Sequence, residues 1–174
     1  MKLRTTLLAL ALLGGLSSAK AATISGTVSF TGWNAPVVGI QLEMYIVDWS
    51  LQQLVDYGTF TVGIGGTYTY VTNASIPPGT YDLYVNGDRW LQQDSANVSV
   101  GATAVANYNL IPGDVENDEA VDIADYARVH FAMWSTSGSV NWDPYADLDG
   151  DGWVDMMDYS LVSYYYGMVG DTFY

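Results

Sequence analysis

Residues 147–158 have the sequence DLDGDGWVDMMD, in which acidic side chains recur with a fixed spacing. Carboxylates occupy positions 1, 3, 5, 9 and 12 of this stretch, glycine occupies position 6 and valine occupies position 8. Such spacing turns alternate side chains inward, and Ca²⁺ takes about six to eight oxygen ligands at roughly 2.3–2.6 Å. The stretch therefore predicts a calcium-binding loop. The predicted ligands are the backbone carbonyl of Trp153 and the carboxylates of Asp147, Asp149, Asp151, Asp155 and Asp158.

The same pattern occurs 33 residues earlier, in the sequence DVENDEAVDIAD of residues 114–125. Two matches in the same phase favour calcium loops of the EF-hand type over solvated acidic turns. Position 6 usually needs a positive φ and therefore glycine, but it holds Glu119, so we expect this loop to be more strained or a weaker site. Position 12 is aspartate in both loops, so a shorter side chain than the usual glutamate must approach the ion. The predicted ligands are the backbone carbonyl of Ala120 and the carboxylates of Asp114, Glu116, Asp118, Asp122 and Asp125.

The N-terminus has the pattern of a secretory signal peptide. Lys2 and Arg4 precede an apolar run over residues 7–16, and small residues at Ala19 and Ala21 predict cleavage after residue 21. The apolar run is too short to span a bilayer, and we find no longer apolar stretch in the sequence. We therefore expect a soluble secreted protein, with attachment to a cell surface left open.

Acidic residues dominate the charge of the chain. The full chain has a net charge of −14, and removing residues 1–21 leaves Arg89 and Arg128 against 19 acidic residues, a net charge of −17. Thirteen of the acidic residues lie at or beyond Asp114, so calcium is expected to neutralise this part and its removal to loosen it. Binding to nucleic acid needs basic patches and is excluded. The absence of cysteine excludes disulfides and thiolate metal sites.

Residues 22–111 predict an all-β domain. Short alternating runs rich in threonine, valine and tyrosine are separated by glycine, proline and asparagine turns, and no helical period appears among them. This spacing is typical of an antiparallel β-sandwich of seven strands. The predicted strands cover residues 23–30, 38–47, 59–62, 67–70, 81–85, 96–100 and 104–110.

Four short segments of this domain carry a resemblance to known β-sandwiches. They are SGTV at residues 25–28, PVVGI at 36–40, GTY at 66–68 and IPPGTY at 76–81. With these turn and core residues, the segment resembles carboxypeptidase-regulatory-like and prealbumin-like domains, which share an Ig-like sandwich fold. The resemblance implies a structural or spacing module and says little about a ligand.

The two acidic loops carry a second resemblance, which covers residues 112–170. Each loop is followed by Asp-Tyr and an apolar segment, with helices expected over residues 123–133 and 156–166. The segment resembles a dockerin domain. The resemblance implies two calcium ions, two antiparallel helices and binding to a cohesin on a scaffold or cell-surface protein. Val129 and Val162 occupy equivalent positions and are expected to pack between the helices.

The expected recognition positions depart from those of cellulosomal dockerins, which tend to carry serine or threonine at positions 10 and 11 and basic residues at 17 and 18. An apolar face rich in methionine and tyrosine could bind an unusual partner, or it could pack against the β-domain or the linker 135–141. We expect intramolecular packing for roughly half of it, because monomers rarely expose large apolar patches. The residues at these positions are Ile123, Ala124, His130, Phe131, Met156, Met157, Ser163 and Tyr164.

Catalytic chemistry finds little support in the sequence. Glycoside hydrolysis needs two placed carboxylates, and the acidic residues of the β-domain are better explained as solvated strand ends and turns. His130 is the only histidine and is interpreted as a surface or interface residue. We therefore predict a non-catalytic protein that docks to a protein partner. The alternatives are membership of a polysaccharide-degrading system as a hydrolase, and a carbohydrate-binding module using Trp33, Trp49 or the Arg89–Trp90 pair, although core packing is favoured for these aromatics.

Overall fold

The structure is a computed structural model that describes residues 20–173. Residues 1–19 of the expected signal peptide lie outside the described part, so its prediction stays untested. Within residues 20–173, no helix combines the length and the apolar character that a membrane crossing requires.

Eight strands form two sheets that pack face to face as a β-sandwich. Strand β1 lies between β4 and β7 and also pairs with β8, and the second sheet has the order β3-β2-β5-β6. The sandwich predicted from the sequence is confirmed. The strands are β1 (Thr23–Phe30), β2 (Gln41–Asp48), β3 (Gln53–Thr61), β4 (Thr67–Val71), β5 (Gly79–Gly87), β6 (Trp90–Val100), β7 (Thr103–Val105) and β8 (Tyr108–Leu110).

The last predicted strand, residues 104–110, departs from the prediction in two ways. It is interrupted between β7 and β8, and both pieces run parallel to β1, so the sandwich is not wholly antiparallel. The interruption lies against Gly26, where a Cβ atom would stand 1.8 Å from the Ala106 carbonyl oxygen. The Asn107 side chain accepts a hydrogen bond from the Thr27 amide at 2.9 Å, replacing a strand-to-strand bond.

The inner faces of the two sheets form one apolar core. Alternate residues of β2 point inward and are fully buried at Leu42, Met44 and Ile46, as the period-2 pattern of a half-buried strand requires. Aromatic residues complete this core, and the Tyr108 hydroxyl donates to the Leu83 carbonyl at 3.1 Å. The predicted core packing of Trp90 is confirmed, because only 3% of its surface is exposed. Trp49 is 43% exposed and lies outside the core, so core packing is wrong for this residue.

The C-terminal part contains helices α1 (Ile123–Ala132) and α2 (Met156–Tyr164), which begin where the sequence predicts and end one and two residues earlier. We call residues 114–166 the loop–helix module. Val129 and Val162 are fully buried in its core, which confirms their predicted packing. Leu91 of β6 is part of the same core, so the sandwich and the module share apolar contacts.

Each acidic loop pairs with the segment that follows the helix of the other repeat. Strand β10 (Trp153–Val154) of the second loop pairs antiparallel with β9 (Ser135–Thr136), which follows α1. In the first loop, the Val121 amide donates to the Met168 carbonyl at 2.8 Å, beyond the end of α2. This reciprocal pairing gives the module an internal pseudo-symmetry and fixes the two loops relative to each other.

Candidate calcium centres

The second loop, residues 147–158, brings three carboxylates together. One oxygen from each of Asp147, Asp149 and Asp151 lies within 4.8 Å of the others, the one such cluster found in residues 20–173. The Asp147 carboxylate is held by backbone amides, because Oδ1 accepts from Gly150 at 2.9 Å and Oδ2 accepts from Gly152 at 3.1 Å. Positions 1, 3 and 5 therefore converge as the spacing predicts.

The end of the second loop is tied to the start of α2. Asp158 at position 12 accepts from the Leu148 amide at 2.6 Å through Oδ1 and from the Asp155 amide at 2.8 Å through Oδ2. Asp155 at position 9 caps the helix by accepting from the Met157 amide at 2.7 Å. One carboxylate thus bridges the entry of the loop and the first turn of the helix.

The first loop, residues 114–125, repeats this hydrogen-bond scheme. Asp114 accepts from the Asp118 and Glu119 amides, both at 2.8 Å, and Asp125 accepts from the Val115 and Asp122 amides, both at 2.7 Å. Its acidic side chains at positions 3 and 5, Glu116 and Asp118, are exposed. The first loop has the backbone of a cation site and a looser set of carboxylates than the second.

Position 7 has the same local geometry in both loops. The Ala120 amide donates to Asp118 at 3.0 Å, and the Trp153 amide donates to Asp151 at 2.8 Å. In both loops, the carboxylate at position 5 therefore stabilises the turn by accepting a hydrogen bond from the amide at position 7. The assignment of the Ala120 and Trp153 carbonyls as ligands stays a prediction.

Burial of the loop carboxylates is electrostatically unfavourable without a cation. Asp114 and Asp158 are almost fully buried, and this loss of water raises the pKa of Asp114 to about 7 and that of Asp158 to about 6. The pKa values of Asp125 and Asp147 are raised for the same reason. Within residues 20–173, no basic side chain forms an ion pair with any of these four carboxylates.

The donor set of both loops consists of oxygen atoms alone. Carboxylate and carbonyl oxygens suit hard cations. Loops that each offer five candidate carboxylates suit the larger oxygen shell of Ca²⁺ better than the strict octahedron of Mg²⁺. A divalent cation would offset the cost of burying these charges. The residues present therefore fit the ion that the sequence predicts.

Glu119 at position 6 has a role that the sequence did not reveal. Its φ of +69° confirms the left-handed turn, and the equivalent Gly152 has φ +89°. The Glu119 side chain leaves the loop and accepts hydrogen bonds from Asn86 Nδ2 at 2.7 Å and from the Gln92 amide at 2.8 Å. The departure from glycine at this position was the one signal available in the sequence.

The second loop also contacts the sandwich. Trp33 lies against Gly150, where a Cβ atom would stand 2.6 Å from the indole ring, and the Asn34 amide donates to the Asp149 carbonyl at 2.6 Å. Arg89 donates to the Asp147 carbonyl at 2.6 Å and has the rings of Trp33, Trp90 and Tyr145 within 5.2–5.6 Å. This placement contradicts the hypothesis of a sugar-binding patch at Arg89–Trp90, because the pair belongs to the contact between sandwich and loop.

The outer faces of the two helices are exposed. Phe131 is 74% exposed and Tyr164 is 80% exposed, and Ala124 is half-buried. The expected intramolecular packing of about half of this face is therefore wrong. The exposed side chains at the predicted recognition positions are Ile123, His130, Phe131, Met156, Met157, Ser163 and Tyr164.

This arrangement of two acidic loops and two helices has a counterpart among known families. Residues 112–165 match the family model of the dockerin type I domain. Two curated proteins of Acetivibrio thermocellus are also similar to the chain. Cellulosomal-scaffolding protein B is 28% identical over 171 residues, and Cellulosomal-scaffolding protein A is 28% identical over 171 residues. The matches cover 86% of this chain but only 22% and 9% of the lengths of those two proteins.

A solved structure shares both parts of the fold. It is an N-terminal interface mutant of a type II cohesin–X–dockerin complex from Acetivibrio cellulolyticus, with a TM-score of 0.68 and 20% identity. The match covers 86% of this chain and 97% of the matched chain. The β-sandwich followed by a two-helix module is therefore a fold that this chain shares with the matched chain.

Proposed function

We propose that this protein is a secreted, non-catalytic component of a cellulosome-type complex, and that its calcium-loaded dockerin module binds a cohesin. The observation that carries the proposal is the pair of loops at the base of two helices with exposed apolar faces. The loops bury Asp114, Asp125, Asp147 and Asp158, and none of these four forms an ion pair within residues 20–173. The match of residues 112–165 to the dockerin type I domain supports it. The two curated relatives are named as scaffolding proteins.

Calcium is proposed to bind in both loops, one ion in each. Bound Ca²⁺ would supply the positive charge that the buried carboxylates lack and so couple metal binding to folding of the module. In the second loop the proposed ligands are Asp147, Asp149, Asp151, Trp153, Asp155 and Asp158. In the first loop they are Asp114, Glu116, Asp118, Ala120, Asp122 and Asp125.

The exposed faces of α1 and α2 are proposed as the docking surface. Large apolar side chains that lie outside a core are characteristic of protein interfaces, and aromatic residues and methionine are enriched there. Phe131 and Tyr164 occupy equivalent positions in the two repeats, and no described part of the chain covers them. The proposed partner is a cohesin, or a related domain, on a scaffold or cell-surface protein.

The proposed organisation has three parts: a signal peptide over residues 1–21, a β-sandwich over 22–111 and a dockerin domain over 112–170. We propose that the sandwich is a structural module of the carboxypeptidase-regulatory-like or prealbumin-like kind. Its role is to support the two calcium loops, since Trp33, Arg89 and Gln92 all contact them.

The test of the proposal is binding of the chain, produced from residue 22 onward, to a panel of purified type I and type II cohesins. Calorimetry is run in calcium and in a chelator. We expect at least one cohesin to bind in calcium and the binding to disappear in the chelator. A chain that folds with calcium, as circular dichroism would show, and yet binds none of the cohesins would contradict the docking proposal.

A recess at the far end of the sandwich supports a second candidate function, polysaccharide binding. Trp49 is partly exposed there and lines a recess of about 500 Å³ together with acidic and hydroxyl side chains. An exposed indole beside hydrogen-bonding groups can stack on a sugar ring.

The test is quenching of tryptophan fluorescence by soluble oligosaccharides, with Trp49→Ala as the control. Unchanged fluorescence across several polysaccharide classes would exclude this function. The recess is lined by Asp48, Trp49, Ser50, Thr80, Asp82 and Asn97.

A further inference from the structure

Glu119 connects the first calcium loop to the sandwich through a buried carboxylate. Oε1 accepts from Asn86 Nδ2 at 2.7 Å, and Oε2 accepts from the Gln92 amide at 2.8 Å. Strand β6 is an edge strand, so a backbone amide directed away from β5 needs a partner outside the sheet. Glu119 supplies that partner, whereas Gly152, at the same position of the second loop, has no side chain to do so.

The backbone of Glu119 belongs to the calcium loop. Its amide donates to Asp114 Oδ2 at 2.8 Å, and Asp114 is the proposed ligand at position 1. The φ of +69° is unfavourable for a residue with a side chain and persists only where neighbouring contacts hold it. The conformation that directs the carboxylate to β6 therefore depends on the position of Asp114.

The segment after α2 joins the same network. The Gly170 amide donates to the Glu119 carbonyl at 2.9 Å, and the Asp171 amide donates to the Gln92 carbonyl at 2.8 Å. A Cβ atom on Gly170 would stand 2.8 Å from Glu119 Oε2, so only glycine fits this approach. Further on, Phe173 packs between the aromatic rings of β2 and β5, at 5.3 Å from Tyr45 and 5.0 Å from Tyr84.

We infer that Glu119 is a positioning residue that couples calcium binding in the first loop to the docking of the loop, and of residues 170–173, on β6. With calcium present, Asp114 is held by the ion and in turn holds the Glu119 amide. Without it, the buried Asp114 carboxylate lacks a cation to offset its burial and holds the Glu119 amide less firmly, so the loop opens and the contacts with Gln92 are lost. The inference rests on the calcium binding proposed above.

The test follows amide hydrogen exchange of Gln92 and of residues 170–173, in calcium and in a chelator. Glu119→Gly removes the carboxylate and tolerates the positive φ, so the loop itself stays compatible with calcium. Glu119→Gln keeps an acceptor for one of the two donors. Asn86→Ala removes one donor without touching the loop, and Asp88→Asn removes an exposed carboxylate of the neighbouring turn as the charge control. Calorimetry counts the bound ions in each variant.

In the wild-type protein, we expect the chelator to speed exchange at Gln92 by at least about tenfold. In Glu119→Gly, exchange should be fast even in calcium while the calcium stoichiometry is unchanged, and Glu119→Gln and Asn86→Ala should be intermediate. Asp88→Asn should behave as the wild type. The inference is overturned if calcium binds and Gln92 is equally protected in the chelator or in Glu119→Gly. Absence of calcium binding by the wild type would instead overturn the proposed calcium function and this inference with it.

Discussion

The two acidic loops share one backbone design and use it differently. In both, the carboxylate at position 1 accepts hydrogen bonds from two backbone amides of the turn. The carboxylate at position 12 accepts hydrogen bonds from amides at the start of the loop and at position 9. The second loop has glycine at position 6 and three convergent carboxylates. In the first loop, position 6 is Glu119, and its carboxylate binds the sandwich. A deviation from a metal-binding motif can thus mark a contact with another domain.

Removal of calcium is expected to have the largest effect. Each bound ion adds about 2.7 kcal/mol to the free energy of unfolding when its concentration is about 100 times the Kd. Increasing calcium should therefore raise the melting temperature of the loop–helix module more than that of the β-sandwich. Differential scanning calorimetry at several calcium concentrations measures both temperatures. A melting profile that is identical in calcium and in chelator would show that the loops are solvated acidic turns.

The next largest effect is expected from removing the carboxylate at position 1 of each loop in turn. Asp147→Ala should lower the calcium stoichiometry and the helix content more than Asp114→Ala, because the second loop has the convergent carboxylates. We expect loss of one ion and about 2–4 kcal/mol of stability for Asp147→Ala, since two partly buried amides also lose their acceptor. Equal or reversed effects, measured by calorimetry and circular dichroism, would show that the first loop is the stronger site.

Glycines of the second loop allow a matched comparison of smaller effects. Gly150 and Gly152 both have positive φ, but a Cβ atom at Gly150 would stand 2.6 Å from Trp33, and one at Gly152 would meet nothing within 4 Å. Gly152→Ala should cost about 1 kcal/mol of stability from backbone strain alone, and Gly150→Ala should cost about 1–3 kcal/mol more from the clash. Denaturant unfolding measures both, and equal costs would mean that Trp33 does not pack on the loop in solution.

Much of the module could be predicted because its determinants are local. The spacing of aspartates gave the loops, and capping by Asp122 and Asp155 explains why both helices begin where they were predicted. The helix ends were overestimated because backbone φ turns positive nearby, at Trp134 and at Gly167. These reversals depend on pairing with the other repeat, which no local pattern encodes.

Contacts between distant segments could not be predicted. The strands of the sandwich were located from the alternation of apolar and polar residues. The parallel pairing of β7 and β8 with β1 depends on long-range contacts that decide which sheet these strands join. Similarly, Glu119 and Gln92 are 27 residues apart, and Phe173 reaches Tyr45 from the opposite end of the chain. Trp90 was correctly expected to pack in the core, whereas Trp49 is 43% exposed and lies outside it. Trp33 packs against the second acidic loop as well as against the sandwich core.

The smallest effect on stability is expected on the outer faces of the helices, where the two repeats can be compared directly. Phe131→Ser and Tyr164→Ser alter equivalent positions that are exposed, so each should change the free energy of unfolding by less than about 0.5 kcal/mol and leave calcium affinity unchanged. Binding to the protein partner should weaken by about 2 kcal/mol or more for whichever residue lies at the centre of the interface. Val140→Ser, an exposed apolar residue outside both helices, is the control. If neither helix variant weakens binding to a cohesin that the wild type binds, the docking surface lies elsewhere on the module. If only one does, that repeat carries the contact, and the functional difference between the repeats extends from their calcium loops to their helices.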